Sequence, residues 1–314
     1  MKKVVFIDAV HPILAERLSK LGYLCEDATL YNDKEVKETI KDACGLVIRA
    51  KFKLDEEFLK SSINLGFIAR SGSGLENIDL DYCNHNNIAV FNSPEGNRNA
   101  VAEHALGMIL GLFNQLNKGD QEVRKGIWNR EDNRGIELDG KTIGIIGFGN
   151  NGSAFAKKLE GFDCKVLAYD KYKKNFTNRN VIEATMEEIF EQAEVLSFHV
   201  PLTQETDQLF DNQYINKFHH PFFLLNLSRG KIVNTRALVE GLKTRKVRGA
   251  CLDVLEYEPS DFSSFFTNQV PEELNFLLRQ ENVLFSPHVA GWTNESYYKL
   301  SAVLADKIEQ TFHR

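Results

Sequence analysis

The sequence contains no C-x-x-C pair, and its five cysteines, Cys25, Cys44, Cys83, Cys164 and Cys251, are scattered along the chain. An odd, unpatterned set argues against a disulfide framework or a thiolate metal site, and reads as the reduced thiols of a cytoplasmic protein. No apolar run approaches the ~20 residues a membrane span requires. Met1–Asp8 is basic and then apolar, but the apolar part is too short for a signal peptide and reads as a first strand. Low-complexity tracts and short-period repeats are also missing. So is an excess of positive charge. The net charge of −6 argues against general nucleic-acid binding, although a local arginine cluster can still hold an anionic substrate. What is present is 314 residues, 43 % hydrophobic and 26 % charged, enough for two domains of ordinary size.

The chain is organised around Lys141–Asp170. Thr142–Ile146 is a short apolar, β-branched run and reads as a buried parallel strand. It leads directly into Gly147-Phe148-Gly149-Asn150-Asn151-Gly152, a G-x-G-x-x-G, and then into helical spacing over Ser153–Leu159. Gly147 permits the tight turn, Gly149 lets the backbone approach a pyrophosphate, and Gly152 lets helix and strand lie close. The helix N-terminus offers N–H groups and a positive dipole end to phosphates, and Asn150 and Asn151 in the glycine turn before it join the cofactor site. A second apolar run, Lys165–Tyr169, ends in Asp170, placed where a carboxylate accepts the ribose hydroxyls of NAD and repels the 2′-phosphate of NADP. A lone glycine motif is weak. Strand, glycine turn, helix and acid in this order point to a dinucleotide.

Before this stretch, apolar strands at Lys3–Ile7, Gly45–Ile48, Leu65–Ala69 and Ile88–Phe91 alternate with helical segments. A long helix over Asn97–Asn117 follows, and then a polar arm, Gly119–Leu138, that could reach a neighbouring subunit. After it, apolar runs at Val195–His199, Pro221–Leu227, Gly249–Leu252 and Val283–Ser286 bring the second sheet to six strands, and Thr293–Thr311 reads as a closing helix. The expectation is an α/β protein of two doubly wound parallel-sheet domains. A flavodoxin-like substrate domain takes residues 1–95 and 287–314, and a Rossmann NAD-binding domain takes 96–286.

Three polar clusters follow apolar runs, where a doubly wound sheet places its site. They are Asn226-Leu227-Ser228-Arg229-Gly230, Asp253-Val254-Leu255-Glu256-Tyr257-Glu258-Pro259 and Ser286-Pro287-His288-Val289-Ala290-Gly291. An arginine fork, a carboxylate and a histidine suit hydride exchange at a 2-hydroxy acid. The fork binds the carboxylate and polarises the adjacent carbonyl, the imidazole exchanges the hydroxyl proton, and the acid fixes the tautomer.

With these clusters, and with His199-Val200-Pro201-Leu202-Thr203 followed by Thr206, the sequence resembles the D-isomer-specific 2-hydroxyacid dehydrogenases over nearly all its length. Within that family it is most similar to the branch acting on D-3-phosphoglycerate. The resemblance implies that Arg229 binds the substrate carboxylate, that His288 is the acid/base and that Glu258 is its partner. Asp253 would face the nicotinamide carboxamide, and His199, Pro201, Thr206, Ser228 and Gly291 would complete the cofactor site. Ser71, Gly72, Ser73 and Gly74 would form a loop donating backbone N–H groups to substrate. Arg49 and Arg70, with Arg130 in the arm, would hold a phosphate. The implied function is NAD-dependent oxidation of D-3-phosphoglycerate to 3-phosphohydroxypyruvate, the entry to serine synthesis, by two domains that close on their ligands. No metal is implied, and a homodimer or larger homo-oligomer is.

The rival with the same chemistry is a reductase of a small 2-keto acid such as glyoxylate or hydroxypyruvate. The rival from another class is an NAD-sensing co-repressor-like protein, against which the unbroken Arg–Glu–His set argues. Two departures stand out. The segment Ser260–Asn282, with Phe262, Phe265, Phe266 and a helix at Glu272–Gln280, is long for the family. The chain also stops at Arg314, short of the C-terminal serine-binding domain of longer phosphoglycerate dehydrogenases, so serine feedback by that route is not expected.

Overall fold

The computed structural model describes residues 2–259 and 270–312, so Phe262, Phe265 and Phe266 lie outside the described residues. The chain forms two compact units. One runs to Asn97 and resumes at Trp292; the other runs from Arg98 to Glu258 and ends at Gly291.

The first unit holds a parallel sheet of β1 (Lys2–Phe6), β2 (Tyr23–Asp27), β3 (Ala43–Ile48), β4 (Phe67–Arg70) and β5 (Ala89–Asn92), in the order β2-β1-β3-β4-β5. The order reverses between β1 and β3, where a doubly wound sheet leaves room for a ligand beyond its carboxyl ends. Asp8 follows β1 and Arg49 follows β3. The strand Tyr23–Asp27 is absent from the sequence reading. It is an edge strand, and only Tyr23 is buried, so it lacks the apolar run by which its neighbours are recognised. One face of the sheet is covered by Val36, Ile40, Phe58 and Cys83. The other is covered by Leu14 and Leu18 from one helix with Leu304, Ala305 and Ile308 from the closing helix Asn294–Phe312. Arg17 ties those two helices through Asp306 and Glu309, each at 2.6 Å.

The second unit holds β6 (Thr142–Ile146), β7 (Lys165–Tyr169), β8 (Ile182–Glu183), β9 (Val195–Phe198), β10 (Phe222–Asn226), β11 (Val247–Leu252) and β12 (Val283–Phe285). All pair in parallel, in the order β12-β11-β10-β9-β6-β7-β8. This is the expected six-stranded sheet plus a two-residue edge strand too short to read from sequence. Its reversal lies between β6 and β9, where Gly147 and His199 leave their strands.

The long helix begins at Pro94, not Asn97, because proline suits the first helical position, where its missing N–H is not needed. It also ends earlier, at Phe113. Gln115 turns left-handed (φ 51°) and a second helix, Leu116–Arg124, starts there. The apolar spacing of Leu112 and Leu116 runs across this break and conceals it. Below the break, Val101, Ala105, Met108, Ile109 and Phe113 pack on the second sheet, with the Phe113 and Phe223 ring centroids 4.7 Å apart. The helix predicted over Glu272–Gln280 spans Glu272–Leu277.

Candidate active site

β10, β11 and β12 are neighbours, and the three polar clusters leave their carboxyl ends in turn. Arg229 sits in a turn fixed from inside. Asn226 is fully buried; its Nδ2 donates to Arg229 O at 3.0 Å and its Oδ1 accepts from Ser228 N at 3.1 Å. The Ser228 hydroxyl donates to Phe198 O. Gly230 is forced, because a Cβ there would collide with the carbonyl of Leu255. The half-buried Arg229 directs Nη1 to Ser228 O at 2.7 Å.

Asp253 is 2 % exposed, and its carboxylate is largely committed to the turn that carries His288. Oδ1 accepts from the Ser286 hydroxyl at 2.6 Å and from Val289 N at 2.9 Å, and Oδ2 accepts from Ala290 N at 2.9 Å. The sequence reading gave Asp253 to the nicotinamide. The structure gives it first to the protein, leaving acceptor capacity on Oδ2 for a ligand amide. Ser286 also meets His104 Nε2 at 2.8 Å, which joins the long helix to this turn. Held in this way, His288 takes a left-handed backbone conformation (φ 54°) and its Nδ1 lies 3.0 Å from Glu258 Oε1. Both side chains keep about a quarter of their surface exposed (27 % and 24 %), so the pair is open to a ligand.

The glycine turn has the shape a dinucleotide needs. Gly147 has φ 93°, and a Cβ there would press on the carbonyl of His199. A Cβ at Gly152 would strike the carbonyl of Gly147. Gly149 differs: a Cβ there meets nothing within 4 Å, so the turn is open on that side. The helix Asn150–Lys158 starts beside that space, and Asn151 Oδ1 is buried with no hydrogen-bond partner in the described protein. These features fit a pyrophosphate at a helix N-terminus. Asp170 Oδ2 accepts from Phe148 N at 2.8 Å, and Oδ1 from Tyr172 N and Lys173 N, both at 2.9 Å. These N–H bonds, with nearby Lys173, hold the carboxyl below its ordinary range despite partial burial, and Oδ2 can still accept a ribose hydroxyl.

The remaining predicted cofactor residues are less direct. The His199 ring is turned inward, with Nε2 2.8 Å from Ser197 Oγ and the ring centroid 5.4 Å from that of Phe155. Burial pushes it down to about 4, so the ring is neutral near pH 7. Thr206 Oγ1 donates to Pro201 O at 2.7 Å and accepts from Thr203 N at 2.8 Å, which closes the loop between them.

The first unit gathers the other predicted group. Ser71 is buried, and the loop Ser71–Gly74 is stitched to the protein by Ser73 Oγ to Asn97 Oδ1 (2.8 Å) and Asn92 Nδ2 to Ser73 O (2.7 Å). Among the described residues, the N–H groups of Ser73 and Gly74 have no acceptor, and are therefore available to an anion. Arg70 packs against Gly72 and donates Nε to Arg49 O at 3.2 Å, so it supports the loop and the Arg49 backbone. Arg49 lies over the Trp292 ring, 4.0 Å from its centroid. Arg130 is exposed in the arm.

Sequence reasoning assigned no role to Asn226, Ser286 or Trp292. A buried asparagine between a strand and a Ser-Arg-Gly turn is a readable signal, since such side chains staple backbone turns. Trp292 gives no such signal. A cavity of about 980 Å³ lies at the amino ends of the second sheet, beside Thr142, Glu194 and Arg248, on the edge opposite the glycine turn. Among the described residues no cluster of side chains could hold a metal ion, and no helix is long and apolar enough to cross a membrane.

Residues 106–290 match the model of the D-isomer specific 2-hydroxyacid dehydrogenase, NAD binding domain. The chain is 32 % identical to a D-3-phosphoglycerate dehydrogenase of Archaeoglobus fulgidus over 308 residues, covering 98 % of this chain and 56 % of that protein. It is equally, 32 %, identical to a hydroxypyruvate reductase of Thermotoga maritima over 274 residues, covering 87 % and 86 %. It therefore spans just over half the length of the phosphoglycerate dehydrogenase. Among solved structures, a D-lactate dehydrogenase of Aquifex aeolicus complexed with NAD and lactic acid matches with a TM-score of 0.82 and 27 % identity, covering 98 % and 94 %. Fold, glycine turn and family match agree: the chain belongs to the D-isomer-specific 2-hydroxyacid dehydrogenases and carries their NAD-binding domain.

Proposed function

We propose that the protein is an NAD-dependent D-2-hydroxyacid dehydrogenase that oxidises D-3-phosphoglycerate to 3-phosphohydroxypyruvate. The observation that carries the reaction class is the His288–Glu258 pair at 3.0 Å, beside the Arg229 turn at the carboxyl ends of neighbouring strands. Arg229 holds the substrate carboxylate through charge-assisted hydrogen bonds. His288 takes the hydroxyl proton at Nε2 during oxidation and returns it during reduction. Glu258 keeps the proton on Nδ1 and stabilises the imidazolium, while Asp253 holds the turn that aims the ring. Gly147, Gly149, Gly152 and the N-terminus of the helix from Asn150 would hold the pyrophosphate, and Asp170 the ribose. When bound there, NAD supplies the hydride acceptor.

Support for a phosphorylated substrate comes from Arg49, a half-buried guanidinium with no ion-pair partner among the described residues, and from the match to phosphoglycerate dehydrogenases. The equal identity to a hydroxypyruvate reductase favours a second reading, reduction of a small 2-keto acid. Rates with 3-phosphohydroxypyruvate, hydroxypyruvate and glyoxylate, followed by NADH consumption, separate the two. A kcat/KM at least tenfold higher for the phosphorylated acid is expected, and a preference for hydroxypyruvate or glyoxylate overturns it.

We also infer a cytoplasmic homodimer or larger homo-oligomer. Leu116, Val123, Ile127 and Trp128 on and after the second helix are 58, 53, 48 and 80 % exposed, an apolar surface that a second copy would cover. Arg130 in the same arm would then serve the partner's substrate.

A further inference from the structure

We propose that Trp292 is the residue that positions Arg49 as an anion subsite and so sets the preference for a substrate with a distal negative charge. The proposal rests on the phosphorylated-substrate reading above and assigns that preference to a residue outside the Arg–Glu–His set.

Arg49 follows β3 and Asp8 follows β1, at the strand-order reversal of the first sheet. The acid nearest in the chain topology is already engaged: Asp8 Oδ2 accepts from the backbone N–H groups of Arg49, Ala50 and Lys51 at 2.6, 2.9 and 3.1 Å. That arrangement fixes the Arg49 backbone, and among the described residues the side chain has no ion pair. The guanidinium makes no hydrogen bond among the described residues, so its N–H donors remain unspent although the residue is half-buried. Burial lowers its pKa from the ordinary arginine value, with Asp8 and Tyr297 opposing, which marks a charge short of solvent.

Among the described residues, the guanidinium is stacked on the indole of Trp292. A guanidinium stacked on a ring uses its face and keeps its in-plane N–H edges for a planar or tetrahedral oxyanion. Stacking also restricts a long side chain to one geometry, so less freedom is lost when an anion binds. The indole is itself braced. Tyr297 meets Trp292 edge-on at 5.5 Å, His11 meets Tyr297 at 5.4 Å and Tyr298 at 5.1 Å, and His11 N donates to Ser301 Oγ at 3.1 Å. On the other side, Arg70 Nε holds Arg49 O at 3.2 Å. The result is a preset cation, with no ion-pair partner among the described residues, at the place where the sheet would receive a ligand.

The chain has two tryptophans, so Trp128→Phe leaves Trp292 as the sole indole fluorophore. In that protein without cofactor, inorganic phosphate and D-3-phosphoglycerate should change Trp292 emission saturably. D-glycerate should require at least tenfold higher concentration, and Arg49→Ala should abolish the response. In kinetics, Trp292→Leu should raise KM for 3-phosphohydroxypyruvate by ten- to fiftyfold while leaving kcat/KM for hydroxypyruvate within threefold. Trp292→Phe should restore most of the loss. Equal losses on both substrates would mean that Trp292 only packs the unit, and would overturn the proposal; so would an emission indifferent to phosphate. A protein that prefers hydroxypyruvate overturns the substrate reading alone, and the emission titration, which needs no turnover, then decides the Trp292 assignment.

Discussion

His288 Nδ1 lies 3.0 Å from Glu258 Oε1, although the two residues are 30 apart in the chain. β11 and β12 are adjacent, so only the fold makes them partners. If His288 exchanges the substrate proton, His288→Ala should cut kcat by about 10²–10⁴-fold while the dissociation constant for NADH stays within threefold. Glu258→Gln keeps the size of the side chain and removes the charge, and should cost about 10–10²-fold in kcat. Steady-state rates with NADH titrations check both. A His288→Ala protein with near-normal turnover would remove the enzymatic reading.

Gly149 and Gly152 share a motif but should fail in different ways. At Gly152 a Cβ would strike the carbonyl of Gly147, so Gly152→Ala should lower unfolding stability by about 1–3 kcal/mol, the ordinary cost of overpacking, and weaken NADH as well. At Gly149 the same Cβ meets nothing within 4 Å, so Gly149→Ala should leave the melting temperature nearly unchanged and raise the NADH dissociation constant at least tenfold. Paired melts and titrations are sufficient. Undiminished binding by Gly149→Ala would mean that the open space is not where the pyrophosphate lies.

The contrast also shows what a sequence can carry. The strand, glycine turn, helix and acid from Lys141 to Asp170 were readable because each step is local and each residue type has one physical reason to be there. The edge strand Tyr23–Asp27 was not, since a half-exposed strand needs no apolar run. Nor was the helix break at Gln115, where the apolar spacing continues across an interruption of the backbone. At the candidate site, Arg229, Glu258 and His288 stood out by residue type and by the family resemblance. The residues that hold their turns in place did not, since Asn226 and Ser286 act through backbone, and neither did Trp292, which stacks on Arg49, 243 positions away in the chain. Such contacts exist only once the topology has formed.

His199 gives a stability signature in acid. Buried against Ser197 and Phe155, it is pushed down to about 4 from an ordinary 6.5. Above pH 6.5 the ring is neutral in folded and unfolded chains and does not discriminate between them. As the pH falls from 6.5 towards 4, the unfolded chain takes up the proton first, and folding stability declines. Between pH 7.5 and 5 the loss should be about 2 kcal/mol from this group, from about 1.36 kcal/mol per pKa unit. Urea unfolding at the two pH values should show it, and a His199→Asn variant should show a flatter profile. An unchanged profile in that variant would exclude His199 as the source.

Trp128 is 80 % exposed in the arm, with Ile127 beside it at 48 %. A Trp128→Asp substitution should shift a dimer towards monomer at micromolar concentration in light scattering, because a charge is costly inside an apolar contact. The same change should leave the melting curve of the monomer unaltered, since the side chain is solvated there. If the wild-type chain is already monomeric, the arm is not an interface between copies.

The left-handed backbone at His288 has a further consequence. Any residue with a Cβ is disfavoured there by about 1–2 kcal/mol, and glycine is not. Replacement by glycine should therefore yield an inert protein that resists denaturation better than the parent. Relief of the backbone and the proposed proton exchange therefore pull the choice of residue here in opposite directions. A screen of variants at this one position, scored separately for survival on heating and for rate, should rank them in opposite orders.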